Sequence, residues 1–312
     1  MTGRLMLLDT ASLYFRAFYG VPDSVKAPDG MPVNGIRGLL DIIAKLVTEF
    51  EPTALVACWD DDWRPRWRVD LIPSYKEHRV ARHVPGGVDV EETPEGLVPQ
   101  IPVIRRLLGE LGIPVVGADQ AEADDVIGCL ARRSAAPVDV ITGDRDLFQL
   151  VDDAHNVRIV YTARGMSKLE VVTDTVVESK YGISPGQYAA FAAMRGDPSD
   201  GLPGVAGIGE KSAAGLLREF GDLDGILQAA NDPATPLGAG VRAKLTAAAE
   251  YLERAVPIIA VGERLDLPEV DGTLRALDDA RLASVHELGD RYGLGGALDR
   301  ALKALAAASS AG

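Results

Sequence analysis

Cysteine is almost absent from this 312-residue chain: it has 2, Cys58 and Cys129, both in apolar surroundings and neither with a CxxC partner. A disulfide framework is therefore not expected, and a reducing, cytoplasmic setting is. Aromatics are scarce at 5%, which argues against a surface that stacks many bases. Histidines number 4 and none accompanies the acid clusters described below, so a zinc site and a Ser-His-Asp triad are not expected. No segment approaches the ~18 apolar residues of a membrane span. The opening run Leu5 to Leu8 is too short for a signal peptide and ends at Asp9. No membrane partner is expected. No Walker A sequence is present, which excludes nucleotide-driven work of that kind. Positive charge is also in deficit, with 32 Lys and Arg against 46 Asp and Glu and a net charge of −14. A nucleic-acid binder so composed needs local basic patches, or metal ions that reverse the sign of its acidic ones.

What remains is an ordinary globular composition, 47% hydrophobic and 25% charged. Short apolar runs alternate with helical patterns over the first two-thirds. Strands are expected at Leu5–Leu8, Thr53–Trp59, Ile113–Val116, Val138–Thr142 and Val157–Val160. Asn34 is placed to cap a helix with Ile36, Leu39, Leu40, Ile43, Leu46, Val47 and Phe50 on one face. A second helix carries Ile101, Ile104, Leu107, Leu108 and Leu111 and ends at Gly112. Strands separated by helices predict an α/β fold with a mainly parallel central sheet covered on both faces. Ser184-Pro185 reads as a helix start. Beyond it lie glycine-rich turns and Ala/Leu-rich helices. Three regions follow: a core over 1–183, a helical region over 184–290, and a C-terminal helix over 291–312 whose Ala-rich end past Leu305 is expected to fray.

Residues 64–100 form an excursion from the sheet, read as partly helical. Within 64–82 six basic residues (Arg64, Arg66, Arg68, Lys76, Arg79, Arg82) face two acids, Asp70 and Glu77. A solvated loop is the plain reading. The local reversal of sign fits contact with phosphate equally well.

The acids fall in a pattern. Asp9 and Asp60 each follow a strand, Asp144 and Asp146 follow the fourth strand, and Glu122, Asp124 and Asp125 open the helix after the third. In an open parallel sheet the carboxyl ends of the strands form the ligand crevice. Each acid alone has an ordinary explanation as a cap, a turn residue or a partner of a helix dipole. Together they converge on one rim. Like charges ~4 Å apart repel by about 4 kcal/mol at a near-surface dielectric, so the cluster asks for hard divalent cations, Mg²⁺ or Mn²⁺, two or more of them. Two such ions roughly 3.5–4 Å apart suit phosphodiester hydrolysis. Downstream, Gly196-Asp197-Pro198-Ser199-Asp200 adds two acids that join if the helical region folds over the crevice.

Gly204-Val205-Ala206-Gly207-Ile208-Gly209-Glu210-Lys211-Ser212-Ala213 permits a tight turn with exposed backbone N–H groups and a helix start behind it. That geometry binds a phosphate without reading bases, with Lys211 adding charge. A close-packed helix–helix turn is the alternative. No strand precedes the segment, so a dinucleotide fingerprint does not apply.

In order and spacing these motifs resemble the bacterial 5′-nuclease family, comprising stand-alone flap endonucleases and the 5′→3′ exonuclease domain of DNA polymerase I. The resemblance is carried by Asp9-Thr10 with Phe15-Arg16-Ala17-Phe18, Trp59-Asp60, Ser74-Tyr75-Lys76 with Arg79, Pro94-Glu95 and Gln100. It continues through Ala121 to Asp125, Thr142 to Leu147, the 196–200 segment and the glycine turn, and reaches about residue 290. It implies a PIN-like nuclease core, a helical arch over 64–100 and a helix–hairpin–helix element. The implied metal ligands are Asp9, Asp60, Glu122, Asp124, Asp125, Asp144, Asp146, Asp197 and Asp200, with Asp125 taken as catalytic. Lys76 and Arg79, with Arg16 nearby, would hold the scissile phosphate, and Tyr75 would stack on a base. Gly204, Gly207, Gly209, Lys211 and Ser212 would grip the duplex backbone, with K⁺ on the carbonyls of Val205 and Ile208. Two departures stand out. Gly201 replaces the family's usual Asn, and the arch tip from Val88 to Glu95 carries four acids and no Lys or Arg.

The implied activity is cleavage of DNA at 5′ flaps, nicks and 5′ single-stranded ends in replication and repair. A stand-alone, monomeric, nucleoid-associated protein is expected, working beside a polymerase or ligase. A junction-binding protein of the same fold with weak or lost cleavage is the alternative. A metal-dependent phosphatase fits less well, because Asp9 is followed by Thr10-Ala11 rather than a second acid.

Overall fold

The computed structural model describes residues 3–262 and 265–311. Six strands form one sheet: β1 (Leu5–Asp9), β2 (Ala54–Cys58), β5 (Val115–Val116), β6 (Val138–Thr142), β7 (Val157–Tyr161) and β8 (Glu170–Val172). Their order is β5-β2-β1-β6-β7-β8, with the first five parallel and β8 antiparallel to β7. β3 (Val80–Arg82) and β4 (Val90–Glu91) form a separate antiparallel hairpin. The mainly parallel sheet expected from the alternation of apolar runs is thus present. Parallel pairing of β1 with both β2 and β6 brings the ends of all three strands to one edge, which is why Asp9, Asp60 and Asp144 become neighbours.

Among the described residues twelve α-helices surround the sheet: α1 (Thr10–Gly20), α2 (Asn34–Phe50), α3 (Arg66–Leu71), α4 (Gln100–Glu110), α5 (Ala123–Arg133), α6 (Asp174–Tyr181), α7 (Tyr188–Arg195), α8 (Glu210–Phe220), α9 (Leu223–Asn231), α10 (Ala239–Ile259), α11 (Asp279–Tyr292) and α12 (Gly295–Ala311). Alternation along β1 sends Met6 and Leu8 to one face and Leu7 to the other. The first face packs against α1, α2, α4, α11 and α12, and the second against α5, α7 and α10. Burying each such aliphatic side chain stabilises the fold by about 1.5–3 kcal/mol.

Several local expectations give way to longer-range contacts. Asn34 does not cap α2. Its Nδ2 donates to the carbonyls of Phe18 (2.7 Å) and Val21 (3.1 Å). The orphan N–H of Ile36 is instead taken by Gln100 Oε1 at 3.1 Å, and Gln100 Nε2 also donates to Asn34 Oδ1. Gln100 is therefore a buried brace and not an arch contact. The expected third strand shrinks to Val115–Val116. β8 escaped expectation because it is a three-residue edge strand carrying a charge. Ser184 and Gln187 form a capping box on a 3₁₀ turn that runs into α7.

Two further differences are larger. The arch region is not helical at its tip: after α3 and one 3₁₀ turn, Glu77–Arg79, it continues as the β3–β4 hairpin. The C-terminal end does not fray within the described residues. α12 holds its helix to Ala311 because Leu298, Ala301, Ala304 and Leu305 form an apolar stripe buried with the residues of α2.

Candidate active site

Asp9 ends β1 and caps α1, accepting from the Ser12 N–H at 3.2 Å. Its other oxygen accepts from the Thr142 hydroxyl at 2.7 Å, and that hydroxyl oxygen accepts from the Asp144 N–H at 2.8 Å. One side chain of β6 thus ties two acids from different segments. Asp60 accepts from the Ala123 N–H at 2.8 Å, fixing the end of β2 against the start of α5. Asp144 in turn accepts from the Asp146 N–H at 2.8 Å. Asp9, Asp60, Glu122, Asp124, Asp144 and Asp197 line one cavity of about 450 Å³, joined by Lys76, Arg79 and, from the arch hairpin, Glu91. The 196–200 segment does fold over the crevice.

The acids divide by what neutralises them. Glu122 accepts from Lys76 Nζ, from the Tyr75 hydroxyl at 2.6 Å and from Arg68 Nη1 at 3.1 Å. Asp125 receives both terminal nitrogens of Arg68, at 2.7 and 2.9 Å, and the backbone N–H groups of Glu122 (3.1 Å) and Gly262 (2.7 Å). Asp200 accepts from Arg79 at 3.0 Å, and Asp197 faces Arg195 at 3.5 Å. By contrast Asp9, Asp60, Asp124, Asp144 and Asp146 have no basic partner within salt-bridge distance among the described residues. Asp146 is buried with Oδ1 lacking any hydrogen-bond partner.

Burial without a cationic partner disfavours the charged form of several of these acids. Burial, with Asp60 and Asp144 adding repulsion, lifts Asp9 to about 7 against the pull of Thr142 and Ser12. Burial and the Asp144 charge hold Asp124 and Asp146 well above the usual carboxylate range. Burial and Glu122 raise Asp60, and burial also raises Glu91. For Lys76 burial opposes the charge, but Glu122 outweighs it and the ammonium is strongly favoured.

Among the described residues, no three of these side chains are already gathered in the geometry of a bound ion. The donors nonetheless fit a hard divalent cation. They are all carboxylate oxygens, several have no cationic partner, and Asp146 offers a buried oxygen with nothing to bind.

The remaining site residues fall in different places. Asp125 pairs with Arg68 and is not among the residues lining the cavity. Tyr75 is 3% exposed, with Lys76 5.2 Å from its ring centre, and has no face open to a base. Arg16 lines a neighbouring groove with Tyr19 and Lys45, although Ser12 and Phe15 border both hollows. In the glycine turn, Gly204 has φ +72° and packs so tightly on Arg195 that an added Cβ would sit 2.6 Å from its carbonyl oxygen. Gly207, Gly209, Lys211 and Ser212 are exposed at the start of α8. The Val205 carbonyl already accepts from the Ile208 N–H at 2.9 Å. Gly201 also has φ +72°, and a Cβ there would meet the Ser74 oxygen at 2.1 Å. A glycine therefore fits where the 196–201 loop abuts the arch base, and an asparagine side chain does not.

Sequence reasoning missed Arg68, Glu91 and Arg195 as site residues. The first was visible only as part of a basic run, and the last only as the residue before Gly196.

The family description "5'-3' exonuclease, N-terminal resolvase-like domain" matches residues 4–182, and "5'-3' exonuclease, C-terminal SAM fold" matches residues 183–278. A 5'-3' exonuclease of Streptomyces coelicolor is 55% identical over 97% of this chain and 100% of that protein. One of Mycobacterium tuberculosis is 47% identical over 98% of each. Among solved structures, that of T5 5'-exonuclease with bound divalent metal ions (zinc) has a TM-score of 0.63 at 19% identity, covering 97% of this chain and 98% of that one. At that identity the likeness is one of fold.

Proposed function

The chain belongs to the 5′-3′ exonuclease family of phosphodiester hydrolases, and on that footing we propose that it cuts DNA where a duplex meets a 5′ single strand, leaving a 5′-phosphate, with Mg²⁺ or Mn²⁺ as cofactor. The observation that carries this reading is an acidic cavity bordered by Lys76 and Arg79. Acids alone would repel a phosphodiester, and a basic wall alone would bind it without cutting.

Asp9, Asp60, Glu122, Asp124 and Asp144 would hold one metal position, and Asp144, Asp146, Asp197 and Asp200 a second. Divalent ions bound there supply Lewis-acid chemistry, lowering the pKa of water and offsetting charge on the leaving oxygen. The chain's own part is orientation and charge. Lys76 and Arg79 rest on Glu122 and Asp200. When a scissile phosphate arrives they exchange those partners for its oxygens and offset the charge that builds up on it. Glu91 sits at the same mouth on the β3–β4 hairpin.

The start of α8 sets register on the duplex through backbone amides and Lys211, contacts that carry no base information. A K⁺ ion on the carbonyls of Val205 and Ile208 would strengthen that grip. Lys211→Ala is expected to weaken flap-DNA binding uniformly across sequences and to reduce the slope of log affinity against log salt by about 1. Fluorescence anisotropy between 50 and 200 mM KCl would check it. We place the protein with the replication and repair machinery of the cytoplasm, as a monomer handing nicks to a polymerase or ligase.

The direct test is cleavage of matched 5′-flap, nicked, blunt and single-stranded substrates in Mg²⁺, Mn²⁺ or EDTA. Flap and nick products carrying a 5′-phosphate, absent in EDTA, are expected. Equal cutting of all four substrates would remove the structural preference.

A further inference from the structure

Arg195, the last residue of α7, stands at the junction between the later acids and the glycine turn. Its Nε donates to the Gly196 carbonyl at 3.1 Å, Nη2 faces Asp197 Oδ2 at 3.5 Å, and Nη1 lies 3.8 Å from Glu210 Oε1 on the first turn of α8. The guanidinium lies over the Phe191 ring, 5.6 Å from its centre, and the side chain is 12% exposed. Nη1 is buried with no hydrogen-bond partner. Asp197 is not held in place by this arginine, since its Oδ1 already accepts from the Ser199 N–H at 2.9 Å and from the Ser199 hydroxyl. What Arg195 supplies to Asp197 is chiefly charge.

We propose that Arg195 is a positioning residue that acts as the built-in counter-cation of Asp197, offsetting its charge beside Glu210 without a divalent ion and, in return, competing with an ion for it. A guanidinium suits the task. It stays charged at any working pH, lies flat on an aromatic ring and presents several donors at once. Its geometry toward Asp197 and Glu210 is long on both sides, so it attracts both without saturating either. Lys76 plays the corresponding part for Glu122 in the first group, but Lys76 is needed at the phosphate. Arg195 is buried behind the cavity lining and can stay where it is throughout turnover.

The inference rests on reading Asp197 as a metal acid, and its test separates the two claims. Mn²⁺ binding to the DNA-free protein is titrated by calorimetry and by loss of the free-ion electron paramagnetic resonance signal, for wild type, Arg195→Gln, Arg195→Lys and Asp197→Asn. Arg195→Gln is expected to bind the weaker Mn²⁺ ion at least about 5-fold tighter, because a competing charge is gone. Arg195→Lys is expected to stay near wild type, and Asp197→Asn to lose or weaken the same ion. In EDTA at pH 8, Arg195→Gln should melt below wild type, and saturating Mn²⁺ should close the gap. If Asp197→Asn weakens that ion but Arg195→Gln leaves its affinity unchanged, the counter-cation role is wrong while the ligand reading stands. If Gln and Lys shift affinity equally, Arg195 acts by packing and the proposal is overturned. If Asp197→Asn changes nothing, the ligand reading itself fails, and the proposal with it.

Discussion

Asp124→Asn is expected to abolish cutting and stabilise the metal-free protein, while its neighbour Asp125→Asn is expected to destabilise it. The two residues are adjacent in α5 but face opposite surroundings. Asp124 lines the cavity with no cationic partner, and burial together with Asp144 and Asp9 disfavours its charge. A neutral amide of the same shape removes that repulsion, so melting in EDTA at pH 8 should rise. The same change takes away an oxygen ligand. Cutting of a 5′ flap should fall at least about 100-fold, since a tenfold loss corresponds to about 1.4 kcal/mol and metal stabilisation of the transition state to several. Asp125 is the anionic half of a buried two-pronged pair with Arg68, whose Nε also donates to the Ile258 carbonyl at 3.0 Å. Halving such a pair leaves a buried guanidinium short of a partner and costs about 3 kcal/mol. Loss of activity in Asp125→Asn should therefore track loss of folded protein. Differential scanning calorimetry with a single-turnover flap assay reads both. Equal and opposite results for the two variants would reverse their assigned roles.

Metal-free stability is expected to fall as pH rises from 5 to 8, and divalent ions to restore it. The folded state holds Asp9 near 7 where the unfolded chain has 3.8. Asp124 and Asp146 are raised as well. Between those values the folded protein binds more protons than the unfolded chain. The stability these groups confer is present at low pH and lost as pH climbs through the folded value. For Asp9 alone a shift of that size corresponds to about 4 kcal/mol at most. Ions that take the same oxygens displace the protons. At about 100 times the dissociation constant they add about 2.7 kcal/mol, so Mg²⁺ or Mn²⁺ should raise melting far more at pH 8 than at pH 5.5. Thermal melts over pH 5 to 8 with EDTA or Mn²⁺ measure it directly. A metal-free melting temperature that rises with pH over this window would contradict the assignment.

The acids were legible in the sequence because a parallel sheet converts position after a strand into position on a rim. Asp9, Asp60 and Asp144 needed only that rule. Their neutralisers were not legible. Arg68 lies 57 positions from Asp125, Lys76 lies 46 from Glu122, and Arg79 lies 121 from Asp200. Nothing in local spacing marks a basic residue as bound for one acid and not another. The same holds for Gln100, which caps α2 from 64 positions away. The arch failed for a related reason: a short hairpin such as β3–β4, carrying Arg82 and Glu91, has too few apolar alternations to announce itself. Convergence of charge was foreseen, but divalent ions are not its only remedy. Here Arg68, Lys76 and Arg79 take part of the task.

The most direct measurement is a crystal of the DNA-free protein soaked in Mn²⁺ at pH 8, with anomalous scattering recorded at the manganese edge. The predicted result is manganese inside the cavity, in contact with carboxylates that include Asp124 and Asp144. An empty cavity at saturating Mn²⁺, with every carboxylate still in its present pairing, would contradict the metal-dependent nuclease reading.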